Sequence, residues 1–551
     1  MSPEELLKQA QSFQLAGRLP EATIAFEKLR SLYPQFPPIL NDLGTLYLQQ
    51  GKLKEGRRLF LQSLDIDPKQ PTTIYNLARS YEDQGEMLEA STIYNEAVKV
   101  QPNFIDAHLK KGMCLHYLER FDDAIECFDN VIKIDPNSAV AHNGRGIGLY
   151  HAGQYQDALI SLNKAKLLNE QSPEICNNLG LALHKLNRFQ EALNQFDQSI
   201  ALNPRYADAY SNRGLTFQAL QMPTEALNNF NWCLEIYPNE PYAQWNKALI
   251  KILLGEYEEG WALYEWRWQA YSKKWLRNFK QPLWLGQAPL KNKTILIYPE
   301  QGLGDFIQFC RYIPKLIELG AKVILEAPGP LVTLASSLLG DIQILESGKS
   351  CPYFDYQCPI MSLPHAFKTN LNNIPSELPY LFANAGKIKQ WEKILGPKDR
   401  PRVGIAWSGA KGQANDHNRS MRLENLFPLL AMPFEFHSLQ KDVRPDDELV
   451  LIQQKILDHR GDLENFSATA ALIENMDIVV SVDTSIAHLA GSLNKKMFIL
   501  LAFNADYRWL MSREDSPWYP NAKLVRQQVI GQWELPIQEL VREIELIAFE
   551  S

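Results

Sequence analysis

Three short stretches in the second half of the chain put glycines, hydroxyls and charged side chains where apolar runs end. The first is Pro299-Glu-Gln-Gly302-Leu-Gly304-Asp305, directly after the run Lys293-Thr-Ile-Leu-Ile-Tyr298. Gly302 and Gly304 let a backbone approach a ligand closely, and Asp305 is a carboxylate able to take a proton from a reacting hydroxyl. An aspartate in that place also fits a plain helix N-cap. The second stretch is Trp407-Ser408-Gly409, followed by Asn418-Arg419-Ser420. Hydroxyl, glycine amide and guanidinium together suit a diphosphate, while a loop arginine also serves as a surface charge. The third is Val482-Asp483-Thr484-Ser485-Ile486-Ala487-His488. A helix starting here turns its free N–H groups and positive dipole end toward an anion, with His488 one turn in as a further donor. The same residues fit a Ser/Thr cap beside a satisfied structural histidine.

Such loops need strands to hold them. Lys293–Tyr298 is rich in β-branched residues and reads as a buried parallel strand. A helix over Phe306–Leu319 and a strand at Lys322–Glu326 complete a β-α-β unit. A second series has strands at Arg402–Trp407 and Phe434–Leu439, a helix around Ser467–Asn475, a strand at Asp477–Val482 and a final strand at Met497–Leu501. A long helix near Pro536–Ala548 follows. Strands alternating with helices in two blocks, 291–400 and 401–551, predict two doubly wound Rossmann-type domains with ligands at the carboxyl ends of their strands.

Gly302-Leu-Gly304-Asp305 and Asp483-Thr484-Ser485-Ile-Ala-His488-Leu-Ala490 resemble the heptosyltransferase pattern of glycosyltransferase family 9, over about residues 291–530. The layout as a whole resembles bacterial tetratricopeptide proteins that end in such a domain. More distantly it is similar in architecture to the O-linked N-acetylglucosamine transferases. The resemblance implies a GT-B-like fold, with the first block on the acceptor side and the second on the nucleotide-sugar side. It also implies inverting transfer with no metal, and no cofactor beyond the nucleotide-sugar co-substrate. By position, Asp305 matches the base, and Thr484, Ser485 and His488 match the diphosphate-binding helix start. The family usually has glycine where Ser485 stands. Its usual lysine contact to the phosphate is not evident here, and Arg419 is the substitute. The expected function is sugar transfer to a hydroxyl of a glycan or protein. The alternative is a non-catalytic interaction scaffold that keeps a degenerate transferase domain. No Gly-Lys-Ser/Thr phosphate loop, Gly-x-Ser-x-Gly elbow or His-Glu-x-x-His is present to suggest other chemistry.

The first half carries a ruler instead. Gly44, Ala78, Gly112, Gly146, Gly180, Gly214 and Ala248 recur every 34 residues. So do Ala22, Gly56, Ala90, Ala124, Ala158, Ala192, Ala226 and Gly260, and so do Pro34, Pro68, Pro102, Pro136, Pro204 and Pro238, with Glu170 in the missing place. Small residues at two phases and a helix-stopping proline at a third describe a helical hairpin repeated eight times, the tetratricopeptide period, over residues 1–270. Units of this kind bury their apolar faces only by stacking into a solenoid, which by default binds a protein partner. Asn76, Asn178, Asn212 and Asn246 fall on first helices, where a column of amides would hydrogen-bond an extended peptide; a plain consensus asparagine fits the same places. Gly144-Arg-Gly146-Ile-Gly148 and Asp65-Ile-Asp67 mimic ligand motifs but lie within the repeat pattern, so both read as structural. A tryptophan-dense stretch, Trp261, Trp266, Trp268, Trp275 and Trp284, makes residues 271–290 a packed seam.

The chain has 551 residues, a formal net charge of −8 and no basic run, which argues against a nucleic-acid partner. Seven scattered cysteines suggest reduced thiols, with Cys351 and Cys358 the one conceivable pair. No apolar run approaches the roughly 20 residues of a membrane span, and the N-terminus lacks the form of a signal peptide, so a cytoplasmic location is expected.

Overall fold

The computed structural model describes residues 3–271, 277–410, 412 and 415–550. Trp275 lies outside them. Two compact units emerge, Met1–Thr216 and Phe217–Ser551.

The tetratricopeptide ruler has a direct physical cause. In the first unit, antiparallel helix pairs such as Pro37–Gln49 with Leu53–Ile66 and Pro173–Lys185 with Phe189–Leu202 alternate along the chain. A Cβ on Gly44 would stand 2.6 Å from the Phe60 ring, on Gly112 2.9 Å from Phe128, and on Gly180 2.6 Å from Phe196. In each case the ring sixteen residues downstream presses on the bare backbone of its partner helix. Pro68, Pro102 and Pro136 follow two residues after the helices ending at Ile66, Val100 and Ile134. Gly144, Gly146 and Gly148 lie inside the helix Ala139–His151, packed on Phe128, Leu162 and Ile125. Asp67 caps the end of the helix Leu53–Ile66.

The asparagine column binds neighbouring units to each other. Asn76 Nδ2 donates to Asn41 Oδ1 at 3.0 Å, Asn178 to Asn143 at 3.0 Å and Asn212 to Asn177 at 2.9 Å. Each bond reaches back 35 residues, one unit and one position, so these amide donors are occupied. Asn246, in the second unit, is buried.

The second unit opens with the closing repeat helices, Pro223–Ile236, Pro241–Leu253 and Tyr257–Tyr264, and ends with the α/β region. Its compact body therefore begins at Phe217, ahead of residue 270, because the closing helices share the α/β core. Ile252, Tyr257, Trp261 and Tyr264 join Ile295, Phe309, Leu472, Leu489 and Trp518 in one apolar cluster. In the seam, Trp284 is buried and its indole N–H donates to the Ala288 carbonyl.

Strands β1 (Thr294–Tyr298), β2 (Lys322–Ala327), β3 (Ile342–Glu346) and β4 (Tyr356–Pro359) form a parallel sheet in the order β3-β2-β1-β4. Strands β5 (Arg402–Ala406), β6 (Glu435–Ser438), β7 (Leu457–Asp458), β8 (Ile478–Val482), β9 (Met497–Leu501) and β10 (Ala522–Arg526) form a second parallel sheet, β10-β9-β8-β5-β6-β7. In each sheet the chain winds outward one way and then returns to the other side of its first strand. The order reverses between β1 and β4, and between β5 and β8, where a doubly wound sheet opens a ligand crevice.

Several expectations need correcting. The sheet does not end at Met497–Leu501, since β10 follows; Lys523 and Arg526 break its five residues into too short an apolar run to be read as a strand. The helix expected over Phe306–Leu319 is broken into Leu303–Phe309, a 3₁₀ turn at Cys310–Tyr312 and Ile313–Glu318, because Pro314 has no N–H to continue the ladder. The helix Ala385–Leu395, in the block 291–400, packs on the second sheet's helix Phe466–Glu474, with Asn475 Nδ2 donating to the Ile388 carbonyl at 3.3 Å. Cys351 is exposed, Cys358 is buried, and the two are not bonded. Among the described residues no helix is long and apolar enough to cross a membrane.

Candidate active site

Both switch points lead into short helices whose starts meet. After β1 the chain turns through Gln301, held at φ +59°, into the helix Leu303–Phe309. After β8 it passes Asp483 into the helix Ser485–Ser492, capped by Thr484, whose hydroxyl accepts from Ile486 N–H at 3.3 Å. The two helices pack on each other at Gly304. A Cβ there would stand 2.8 Å from His488 Cδ2 and 3.5 Å from Ser485 Cα. Any side chain at Gly304 would drive the two loops apart.

Asp305 is the third residue of its helix, and Gly302 is the N-cap. Asp305 Oδ2 accepts the Gly302 N–H at 2.8 Å, which bends the carboxylate back over the glycine turn. Its other oxygen, Oδ1, accepts from Arg508 Nη2. Arg508 belongs to a 3₁₀ turn, Tyr507–Trp509, that follows β9. It also pairs with Asp506 at 2.7 Å and donates from Nε to Gln308 Oε1 at 2.7 Å. One guanidinium thus ties the loop after β9 to the helix after β1.

The second stretch joins the same place. Arg419 Nη1 donates to the Asp483 carbonyl at 2.8 Å, and its guanidinium lies flat against Gly409, where a Cβ would stand 2.4 Å from Nη2. Gly409 N–H donates to Ser420 Oγ at 2.9 Å, and Ser420 in turn donates to Asp416 at 2.6 Å. Ser408 is turned away: its hydroxyl accepts from Gln440 Nε2 at 2.9 Å and its N–H donates to Gln440 Oε1 at 2.7 Å.

Burial sets the charge states. Burial pushes the Asp305 carboxyl up, against the pull of Arg508 and the Gly302 N–H. Asp483 is raised to about 6 by burial, reinforced by the nearby Asp506. His488 is held well below its ordinary value by burial and then by Arg508, Arg311 and Arg419, so it is neutral near pH 7. Its Nδ1 lies 2.9 Å from the Tyr519 hydroxyl, and its ring stacks on Trp509 with centroids 5.5 Å apart. With Tyr519 donating to Nδ1, Nε2 carries the remaining proton and faces Gly304. The result is two raised carboxyls, two guanidinium groups and two helix starts gathered where the loops after β1, β5, β8 and β9 meet.

The last repeat helix, Tyr257–Tyr264, and the short helix Arg267–Ala270 after it hold these loops from behind. Arg267, 3% exposed, pairs with Glu300 through Nη2 at 2.7 Å and Nε at 2.8 Å, and also reaches Glu265 and Ser362. Glu300 accepts the Met361 N–H at 3.2 Å, so the loops after β1 and β4 share one carboxylate. The Tyr264 hydroxyl accepts from Gln301 Nε2 at 3.2 Å and lies 3.4 Å from the Tyr507 hydroxyl.

All three predicted stretches therefore meet, through Gly304, Asp305, Gly409, Arg419, Thr484, Ser485 and His488, with Gly302 at the rim. Reading the sequence missed Arg508, Asp506, Gln308 and Tyr264. Asp506-Tyr507-Arg508 lies just beyond the carboxyl end of β9, where the strand-end rule points, whereas Tyr264 carries no local signal. Among the described residues no three His, Cys, Asp or Glu side chains form a metal-ligating group.

The repeats match family models described as "Tetratricopeptide repeat" over residues 7–71, 71–104 and 105–138, and as "TPR repeat" over residues 182–221. Protein FlbA of Caulobacter vibrioides is 24% identical over 326 residues, covering 53% of this chain. The chain spans about half, 53%, of that relative's length. Solved structures similar to parts of the chain include a tetratricopeptide repeat protein from Parabacteroides merdae, at 21% identity and a TM-score of 0.38, covering 45% of this chain and 98% of that one. The Cut9–Hcn1 hetero-tetramer of APC/C is similar at 16% identity and a TM-score of 0.38, covering 49% and 54%. YrrB, described as a TPR protein with an unusual peptide-binding site, is 23% identical with a TM-score of 0.29, covering 34% and 98%.

Proposed function

We propose that the α/β region is a GT-B-like glycosyltransferase that moves a sugar from a nucleotide-sugar donor to a hydroxyl acceptor. The tetratricopeptide repeats, which imply a protein-interaction scaffold, would select the protein or glycan acceptor. The observation that carries this reading is the meeting of two helix starts from the switch points of two parallel sheets, with Asp305 on one and Thr484–Ser485 on the other. Asp305 takes the proton as the acceptor oxygen bonds to the anomeric carbon, and the carbon–oxygen bond to the diphosphate breaks with its electron pair leaving on the phosphate. In this scheme the Ser485 N–H and Arg419 would stabilise that charge as it develops, in surroundings that exclude much water. No metal is asked for in this scheme.

The test is stabilisation of the full chain by UDP-, ADP- and GDP-sugars, followed by intact-mass analysis of acceptor lysates. One of the three should raise the melting temperature; a ligand at a hundred times its Kd adds about 2.7 kcal/mol. Asp305→Asn should keep that binding and lose transfer. No stabilisation by any of them, with no mass gain, would overturn the reading.

A second reading is a non-catalytic scaffold. Its support is the internal satisfaction of the site: Asp305 is held by Arg508, Ser408 by Gln440 and His488 by Tyr519.

A further inference from the structure

We propose that Arg508 is the cation that receives the incoming diphosphate, and that it does so by exchanging partners, leaving Asp305 for the phosphate oxygens. The inference rests on the transferase reading above and adds to it a residue and an event. Three observations single out Arg508. Its side chain is 10% exposed, and two of its three contacts are carboxylates on different elements, Asp305 on the helix after β1 and Asp506 on its own turn. Of the other arginines nearby, Arg311 is committed to the carbonyls of Gln308, Pro375 and Trp518 and to the Tyr380 hydroxyl. Arg419 is committed to the Asp483 carbonyl, with Asp416 3.6 Å from its Nε, which has no hydrogen-bond partner. Next to Arg508, Gln308 is fully buried and its Nε2 has no hydrogen-bond partner, leaving a donor unused beside the guanidinium.

A carboxylate–guanidinium pair and a phosphate–guanidinium pair use the same planar donor geometry, so one replaces the other without rebuilding the site. Asp305, Asp483 and Asp506 outnumber the guanidinium groups of Arg508 and Arg419. Drawing Arg508 onto a diphosphate therefore leaves Asp305 uncompensated and raises its proton affinity. Among the described residues, the charged and titratable groups acting on Asp305 or felt by it include Arg508, Asp506, Tyr264 and Tyr507, and Arg508 is the cation of that set. The base would be masked in the free protein and unmasked by the donor.

The experiment is calorimetric titration of the full chain with UDP, ADP, GDP and inorganic pyrophosphate, on wild type, Asp305→Asn, Arg508→Gln and Arg508→Lys. Partner exchange predicts opposite signs. Asp305→Asn, which frees Arg508 in advance, should bind the best of these probes at least about fivefold more tightly, and Arg508→Gln at least about tenfold more weakly, with Arg508→Lys in between. In wild type, repeating the titration across a range of pH in buffers of different ionisation heat should show proton uptake beyond that of the probe's own phosphate, and Asp305→Asn should abolish it. Melting curves of each variant separate misfolding from lost binding, and Arg508→Lys carries the test if Arg508→Gln fails to fold. Binding by wild type without tightening in Asp305→Asn overturns the exchange alone. Absence of binding by wild type to all four probes overturns the transferase reading and the exchange with it.

Discussion

The two units use charge and packing in opposite ways. In the repeat unit Arg120 and Asp123 pair on the surface, their side chains 53% and 48% exposed; in the α/β-bearing unit Arg267 and Glu300 are 3% and 1% exposed. The repeat unit has several small apolar clusters, such as Leu6–Leu59 and Leu149–Phe196, whereas one cluster in the second unit runs from Ala248 to Leu524. Many modest contacts of one kind hold the repeats. A few contacts, each with no substitute, hold the site. A solenoid tolerates variation because every neighbour pair is alike, and a site assembled from distant loops does not.

The contrast can be broken first at its strongest point. Glu300→Gln leaves the buried Arg267 charge with Glu265 as its remaining carboxylate and should cost about 3 kcal/mol by urea unfolding. Replacing both, as Arg267→Met with Glu300→Met, should restore most of that, whereas Arg120→Ala should cost about 0.5 kcal/mol or less. A loss under about 1 kcal/mol in Glu300→Gln would mean that the short helix Arg267–Ala270 is not keyed to the loops as described. The second probe is pH. Asp483 has a folded pKa of about 6, above the ordinary unfolded value near 3.9. The folded chain therefore holds the extra proton in that interval, and its stability falls as pH rises from about 4 to about 6. Asp483→Asn should gain stability relative to wild type across that window, and the difference should level off above pH 7. Melting temperatures that run parallel for both proteins would rule this out. A smaller effect than either belongs to the amide staples, with only the Arg120 control below it. Asn178→Ala should cost about 1 kcal/mol, and a double-mutant cycle with Asn143→Ala should show coupling of the same sign. Additivity of the two changes would remove the staple as a stabilising link between units.

What was legible in the sequence divides along the same line. The 34-residue period, the glycine positions and the proline stops are local and repeated, so each unit restates the evidence of the others. The strands Thr294–Tyr298, Ile478–Val482 and Met497–Leu501 were legible because burial on both faces makes them continuous apolar runs. β3, β4 and β7 were not read, since β4 and β7 are short and β3 is partly exposed rather than a continuous apolar run. At the site, Asp305, Thr484 and Arg419 stand out by type and place. Arg508 depends on a contact 203 residues away in the chain, and Tyr264 on packing between a repeat helix and two strand-end loops. No window along the sequence contains those relations. The asparagine column shows the reverse difficulty: its period was plain, but only the 35-residue reach of each amide revealed that its donors face back to the preceding repeat.

The glycine set against the ring sixteen residues ahead also bears on how such a chain changes length over generations. Because Gly112 and Phe128, or Gly180 and Phe196, lie inside a single period, a duplication or excision of 34 residues leaves each such pair whole when its breakpoints fall outside that interval. Otherwise it joins the glycine to the equivalent apolar residue of another repeat. Length can then be selected in whole steps of one hairpin, with no compensating substitution needed at the joints. The stretch from Tyr257 to Arg267 has lost that freedom, because its residues are committed to loops that occur only once. Growth and loss of repeats should therefore be concentrated upstream of it, with the last hairpin inherited together with the strands it supports.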